Sequence, residues 1–462
     1  MSVILWIILV ILILILTSRL AKLLFGFDHY LGFLIMIRTT RFIKYLDRLA
    51  KAKKILNVFA DIGIVLGFGA FGFDYLIKDK IKNKFYRFLI FIGVAFILTI
   101  ITYFSTYSLL TNNPLISHNF MIFMVIFTGI MGLSGFTMGS LVFSAFDIIA
   151  KLFAGTAGTA CPGVGLVIPG VKMPKMDLFI PWYGWLILIF SAIIHEFAHG
   201  ALLRTIKVKI KSMGFILAAI LPLGAFVEPN DKDLLKKKKK SIIRMYSAGP
   251  TSNTIIALVF FVIVLLVSPS ISNYTNSIDQ QRDLDIYVYS VDQTTEVCGS
   301  VYDSPAYGVL DENDIIVSIN GVEISSRQDL TSASKLDQDN LFVVKNKETG
   351  IEREVNLKPN EMGRFGFTSG VRQDPNFVIP GKYKFYKHTL AVLVWIAILN
   401  LLIATVNYLP TVPFDGGAMS QIIFSGYLKK KRTEKKRMRL VQRFFGTIIV
   451  ILLLLNIIPY FF

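Results

Sequence analysis

The chain has 462 residues, of which 54% are hydrophobic, and its formal net charge is +18. Soluble domains rarely exceed about 50% apolar residues and lack long uncharged apolar runs, so this composition excludes a soluble protein. The basic residues cluster beside apolar runs, at 38–54, 204–211, 232–244 and 428–443, which is the positive-inside pattern of a membrane protein and argues against a nucleic-acid partner.

Apolar runs recur along the chain, and most are near or above the roughly 18–20 residues that cross a bilayer as a helix. They predict a polytopic α-helical membrane protein with about eight spans, at 3–16, 55–77, 88–110, 119–146, 184–205, 246–267, 389–409 and 443–462. Arg19 and Lys22 follow the first run and no small-residue cleavage site does, so we expect an uncleaved anchor with its N-terminus outside. Residues 1–150 are predicted to be N-terminal transmembrane helices.

Segment 55–77 leaves the topology open, because it is rich in glycine and carries Asp61 and Asp74. Such a segment either crosses the membrane or lies at its surface. If it crosses, the basic loop 78–87 falls outside, against the positive-inside pattern of the remaining basic loops. The sequence does not decide between the two arrangements.

The middle of the chain departs twice from helical patterns. Glycine and proline punctuate short β-branched runs in 151–182, which predicts strands and turns near an active-site entrance. Residues 214–227 are apolar but too short to cross, and Pro222 and Gly224 interrupt them, so we expect a re-entrant β-hairpin. Non-helical backbone is tolerated inside a membrane only where protein or water satisfies it, so this hairpin should line a cavity.

A polar segment, from about 273 to 386, separates two apolar runs and alternates in the manner of β-strands. We expect a soluble domain inserted between two spans. Of the two cysteines, Cys161 lies before this segment and Cys298 within it. Neither has metal-binding or redox spacing, which favours two unpaired thiols.

The residues that carry chemistry lie in the helix predicted over 184–205. His195-Glu196-Phe197-Ala198-His199 is a HExxH pattern, in which two histidines four residues apart share one helix face and can bind one metal ion. Glu196 lies beside them, where it can accept a proton from water. Ionisable residues inside an apolar helix are costly and are usually functional, so we favour a metal site over a structural polar cluster.

A catalytic zinc site takes three protein ligands and one water, so a third ligand must lie elsewhere. Just beyond the predicted hairpin the chain offers Glu228, Asp231 and Asp233. The better candidate is Asp415, which ends an apolar run where two prolines and two glycines break the helix and permit close approach. The residues alone also leave Asp415 open to a role as the cap of the following helix.

Four ordered motifs resemble the site-2 protease family of intramembrane zinc metalloproteases, over about 150–462. The first is the HExxH pattern. The others are Pro222–Val227, the GPxxN pattern of Ser247–Asn253, and the NxxPxxxLDG pattern of 407–416, in which Phe414 replaces the leucine. The soluble segment resembles a PDZ domain through 304–310 and 314–321, as in bacterial and archaeal members of this family.

The resemblance implies a ligand set and a set of roles. It implies that Zn²⁺ is bound by His195, His199 and Asp415, with Glu196 as the catalytic residue. It assigns substrate contacts to Asn407, Asn253, Pro222 and Gly224. We divide the chain accordingly into N-terminal transmembrane helices (1–150), a catalytic membrane core (151–272), a PDZ-like extracytoplasmic domain (273–386) and the rest of the core (387–462).

The expected function is that of an intramembrane zinc metalloendopeptidase that cleaves the membrane spans of single-span proteins. Its expected location is the cell membrane, with the active site toward the cytoplasm, and its expected partners are such substrates and membrane lipid. Three alternatives stay open: a membrane-anchored zincin whose site faces water, a non-enzymatic adaptor that uses the PDZ-like domain, and a metal transporter.

Overall fold

The structure is a computed structural model that describes residues 3–30, 34–111, 118–156, 160–165, 168–172, 175, 178–218, 221–297, 300–336, 338–360, 363–428 and 433–461. Its α-helices are α1 (Val3–Phe25), α2 (Ile43–Leu49), α3 (Lys53–Ile77), α4 (Lys84–Thr111), α5 (His118–Phe153), α6 (Gly184–Thr205), α7 (Asp231–Leu235), α8 (Lys239–Arg282), α9 (Arg327–Ala333), α10 (Gly381–Asn407), α11 (Asp415–Phe424) and α12 (Glu434–Ile457). Its strands are β1 (Asp28–Tyr30), β2 (Leu34–Thr39), β3 (Ile210–Ala218), β4 (Leu221–Pro229), β5 (Asp283–Val291), β6 (Thr294–Val297), β7 (Ser300–Asp303), β8 (Ile315–Ile319), β9 (Val322–Glu323), β10 (Asn340–Lys345), β11 (Glu352–Leu357) and β12 (Phe367–Gln373).

The helices confirm a polytopic membrane protein. Within the described residues, seven helical segments have the length and apolar composition needed to cross a bilayer. These segments are Ile43–Ile77, Lys84–Thr106, Phe120–Phe153, Gly184–Thr205, Lys239–Arg282, Gly381–Asn407 and Glu434–Phe461.

Helix α3 does not run straight. Its backbone leaves helical geometry at Phe68 and at Gly69, whose φ is +51°. A side chain at Gly72 would overlap the carbonyl oxygen of Ile64, although eight residues of straight helix would separate the two by about 12 Å. The chain therefore reverses at Gly69, and α3 is a helical hairpin that ends on the side where it began.

Helix α5 reverses in the same way at Gly132, whose φ is +62°. The rings of Phe120 and Phe143 stack with their centroids 3.6 Å apart, although 23 residues of straight helix would span about 35 Å. The two turns touch, because a Cβ on Gly69 would lie 2.6 Å from the amide nitrogen of Gly132. Two of the eight predicted spans, 55–77 and 119–146, are thus re-entrant, since glycine at each tip permits a turn that hydropathy alone cannot register.

The predicted hairpin is present as β3 and β4, which belong to a four-stranded sheet of order β1-β2-β3-β4. Strands β1 and β2 come from the N-terminal segment that was predicted to be helical throughout, so that prediction needs correction. Strand β2 fits closely against β3 because Arg38 pairs with Gly214, where any side chain would overlap the carbonyl oxygen of Ile37. Among the described residues, β4 forms one edge of this sheet.

A second sheet, of order β11-β10-β8-β5-β12, follows α8 and precedes α10. Its core is aliphatic and aromatic, and Ile286, Ile319 and Phe342 are fully buried there. Helix α9 lies beside β9, and β12 forms one edge of the sheet.

The segment 151–182 differs from its prediction. Its described residues form the end of α5, turns and extended backbone, and they form no strand. Cys161 in this segment is disulfide-bonded, so the expectation of unpaired thiols is wrong. Cys298 lies outside the described residues.

Candidate active site

Helix α6 carries the HExxH residues into the centre of the bundle. It packs on α8, α10, α2 and β4, and its last turns are held by buried leucines, Leu202 and Leu203, in a cluster with Leu46 of α2. His195 and His199, four residues apart, are 6% and 7% exposed. Their side chains therefore share one buried face, as the helical spacing predicts.

Asp415 reaches this face from the other end of the chain. It is the first residue of α11, after a loop that leaves α10 at Tyr408. A side chain at Gly416 would overlap the carbonyl oxygen of Tyr408, and one at Gly417 would lie 2.5 Å from the carbonyl carbon of Thr411. The two glycines therefore let the loop fold tightly against the first turn of α11, which places Asp415.

Three ligand atoms converge. The Nε2 atoms of His195 and His199 each lie 3.0 Å from Oδ2 of Asp415. The ligand atoms of His195, Glu196 and His199 lie within 4.8 Å of one another. Two imidazoles and a carboxylate are a ligand set that suits zinc.

The hydrogen bonds behind the histidines fix their tautomers. The Asn253 amide donates from Nδ2 to Oδ1 of Asn400 at 2.8 Å and to the carbonyl of Ser191 at 3.3 Å. Its Oδ1, 2.6 Å from Nδ1 of His195, must therefore accept a proton from that nitrogen. Nδ1 of His199 likewise donates to the carbonyl of Met245 at 2.7 Å.

Both Nε2 atoms are consequently left with lone pairs that face the Asp415 carboxylate. Two imidazole lone pairs and a carboxylate that point at one another are a donor set that a metal ion between them would satisfy. Glycine at position 249 lets the backbone of α8 lie against this group, because a Cβ there would lie 2.4 Å from the Nε2 atom of each histidine. The residues present therefore fit a bound metal ion.

Glu196 joins the metal-ligand group to a neighbouring cavity. It lines a cavity of about 690 Å³ between α6 and the four-stranded sheet, together with Ile193, Phe197, Phe215 and Phe226. The backbone amide of Val227, on the edge strand β4, interacts with the Glu196 carboxylate. The edge of the sheet and the catalytic candidate thus lie side by side.

A polar network anchors the far end of this sheet. Arg38 on β2 pairs with Glu228 on β4, and Glu228 also receives hydrogen bonds from Lys211 and Ser212 on β3. Partial burial raises the pKa of Glu228, but the hydrogen bonds from Lys211, Ser212 and Arg38 outweigh it and hold that pKa below its usual value. Strands β2, β3 and β4 are therefore tied together by charge.

The residues assigned to substrate occupy different places. Asn253 is fully buried behind His195, with its amide engaged as described above, and it faces no open surface. Asn407 ends α10 and donates to the carbonyl of Ile403 at 2.9 Å, and no described contact links it to the convergent ligands. Pro222 pairs with Leu217 in the hairpin, and Gly224, opposite Ile216, has open space beside it.

Three contributors to the site could not be singled out from the sequence. They are Asn400, the Met245 carbonyl and Gly249. Of these, only Gly249 lies in a noted motif, the GPxxN pattern. A backbone carbonyl and an asparagine on another helix leave no local signal in a sequence.

Comparison with known proteins places these residues in one family. Residues 183–455, more than half of the chain, match the family model described as Peptidase family M50. The chain is also 29% identical, over 250 residues, to a protein of Methanocaldococcus jannaschii that is described as uncharacterized. That similarity covers 53% of this chain and 58% of the relative, which is less than two thirds of the relative's length.

Proposed function

The chain belongs to peptidase family M50, the site-2 protease family of membrane metalloproteases, and we propose that it cuts the membrane-spanning segments of single-span proteins with zinc. The observation that carries this proposal is the convergence of His195, His199 and Asp415 beside Glu196, within the helix bundle. Three protein ligands with a fourth position open are the arrangement of a catalytic zinc site.

The chemistry divides between the metal and the chain's own residues. Zinc held by His195, His199 and Asp415 would polarise a peptide carbonyl and acidify water. Glu196 takes the proton of the attacking water and delivers it to the amide nitrogen as the peptide bond breaks. The interaction with the Val227 amide holds the Glu196 carboxylate toward the cavity.

The substrate must be unwound before attack, because a helix hides its carbonyls in internal hydrogen bonds. Strand β4 supplies replacement partners by β-augmentation. Since the N–H and C=O of one strand residue point the same way and alternate along the strand, Ala225 presents its backbone on the same edge as Val227. The open space at Gly224 leaves room for the added segment.

Gly, Pro or Asn in the substrate's span should therefore speed cleavage, because they weaken its helix. We assign Asn407 to the displaced substrate backbone, since only its Nδ2 has a described partner and its carbonyl oxygen is available to a ligand. Asn253 receives a different role, that of a positioning residue for His195.

The soluble sheet is assigned a PDZ-like role. A groove of about 550 Å³ lies between the edge strand β12 and α9, and it includes Leu330, Phe365 and Phe367. At one end of the groove, a loop with positive φ at Gly363 and Gly366 carries Arg364. An extended peptide could add to β12, with its terminal carboxylate beside this loop.

The re-entrant path of α3 supports a location and an orientation. Because α3 reverses, its two ends lie at the same end of the bundle, and the basic loop 78–87 lies there with the other basic loops. All the basic loops then obey the positive-inside rule. We place that end, and the exit of α6 near the active site, toward the cytoplasm of the cell membrane. The PDZ-like domain then lies outside, where the disulfide at Cys161 is compatible with an oxidising compartment.

The test uses purified protein in lipid nanodiscs, supplied with zinc and a tagged single-span substrate. Wild type is compared with Asp415→Asn and with Asp231→Asn, an exposed aspartate that serves as the matched control. We expect cleavage and one zinc per chain for wild type and the control, and loss of both for Asp415→Asn. Normal activity of Asp415→Asn would favour a zincin with a water-facing site, and no cleavage by zinc-loaded wild type would favour the adaptor.

A further inference from the structure

A cavity of about 540 Å³ lies between α3, α4 and the end of α11. Its apolar wall includes Phe71, Phe88 and Phe91. Helix α4 is peripheral, since none of the residues in its most apolar stretch is buried. An apolar helix without buried residues faces the hydrocarbon of the surrounding bilayer, so this cavity lies at the lipid-facing side of the bundle.

The mouth of this cavity is basic. Lys78, Lys84 and Arg87 line it, at the end of the bundle where α3 begins and ends. Arg87 is committed to Asp74, which binds it through two hydrogen bonds and also accepts one from Tyr427. The carboxylate in the cavity is therefore already neutralised by its own donors.

Two lysines, Lys78 and Lys84, also line this mouth. Within the described part of the chain, neither Lys78 nor Lys84 forms an ion pair, and Lys78 lies 3.6 Å from the centroid of the Tyr75 ring. Burial lowers the pKa of Lys78, and the nearby charges of Lys239 and Arg87 lower it further; together they outweigh the opposite effect of Asp79 and Asp74. An anion at this point would stabilise the charge of the partly buried ammonium group.

We propose that this cavity binds one anionic phospholipid, with the headgroup phosphate between Lys78 and Lys84 and an acyl chain against Phe71, Phe88 and Phe91. Charge complementarity selects the headgroup, and the apolar wall selects a lipid over a free phosphate. The site touches the helix that carries Asp415, because Ile423 near the end of α11 lines the same cavity. This inference is independent of proteolysis.

The test is native mass spectrometry of the full chain, titrated with phosphatidylglycerol or with phosphatidylcholine of the same acyl chains. We expect phosphatidylglycerol to bind one tight site that phosphatidylcholine does not fill. A basic residue near a membrane surface contributes about 1 kcal/mol, or roughly fivefold in affinity. The double variant Lys78→Gln/Lys84→Gln should therefore lose about twenty-five-fold in affinity.

The matched control is Lys51→Gln/Lys54→Gln, which removes the same charge from exposed lysines at the same end of the bundle but away from the cavity. This control variant should bind phosphatidylglycerol at the tight site with the same affinity as wild type. An equal loss in both double variants would overturn the proposal in favour of a diffuse surface charge. Competition by glycerol phosphate as effective as that by the whole lipid would overturn it as well, because the apolar wall would then contribute nothing.

Discussion

Replacing Asn253 separates two roles for this residue, positioning of His195 and contact with substrate. Its Oδ1 accepts the Nδ1 proton of His195, which keeps Nε2 free to bind a metal. Loss of such an outer hydrogen bond typically weakens metal binding by about 10- to 100-fold. Asn253→Ala also strands Oδ1 of Asn400, a buried acceptor, at a cost of roughly 1–3 kcal/mol in the free energy of unfolding.

The assay is zinc affinity by competition with a chromogenic chelator, alongside kcat and KM for one model substrate. We expect Asn253→Ala to bind zinc about 10- to 100-fold more weakly than wild type. The zinc affinity of Asn400→Ala should fall by less than about tenfold, because Asn253 keeps its hydrogen bond to the Ser191 carbonyl. Zinc affinity unchanged in Asn253→Ala, with KM raised, would refute the positioning role and restore the substrate role expected from sequence.

Gly249, Gly214 and Glu228 allow three further tests, each of a different contact. Gly249→Ala should abolish zinc binding, measured by metal analysis, while the metal-free thermal transition stays within a few degrees of wild type, because the added Cβ overlaps both Nε2 atoms. Gly214→Val should lower the midpoint of thermal unfolding and expose β2 to limited proteolysis, since a side chain there overlaps the Ile37 carbonyl. The control Gly381→Val, at a position with open space, should leave the unfolding midpoint and the proteolysis pattern unchanged. The pKa of Glu228 is held low in the folded state. Its contribution to the free energy of unfolding is therefore present above the ordinary glutamate pKa of about 4.3 and is lost as pH falls below it. Glu228→Gln should flatten that part of the curve of stability against pH, and an unchanged curve would count against the network.

The sequence was most informative where chemistry depends on local spacing. Two histidines at i and i+4 share a face on any helix, so His195 and His199 were predictable, and Asp415 followed from its proline- and glycine-rich surroundings and from a family resemblance. The β-hairpin was predictable because Pro222 and Gly224 interrupt a run too short to cross. The PDZ-like nature of the soluble segment and the four segment boundaries remain predictions.

The rest depends on contacts between residues distant in the chain. Hydropathy measures length and apolarity, and both are the same for a straight span and for a helix that reverses at Gly69 or Gly132. Strand β2 was missed because its pairing with β3 joins residues about 175 positions apart, as in the Arg38–Gly214 pair. The contacts of Asn253 could not be predicted for a related reason, since its partners His195 and Asn400 lie on two other helices. Its assignment to substrate stays a prediction.

The position of the cut in a substrate tests the central claim most directly. A single-span protein with a defined apolar segment is incubated with wild type or Glu196→Gln in nanodiscs, and the products are sized by mass spectrometry. Cleavage inside the apolar segment, reduced by about 100-fold or more in Glu196→Gln, is the result that this account predicts. Cleavage confined to the flanking soluble sequence, or a cut that persists unchanged in Glu196→Gln, would contradict it.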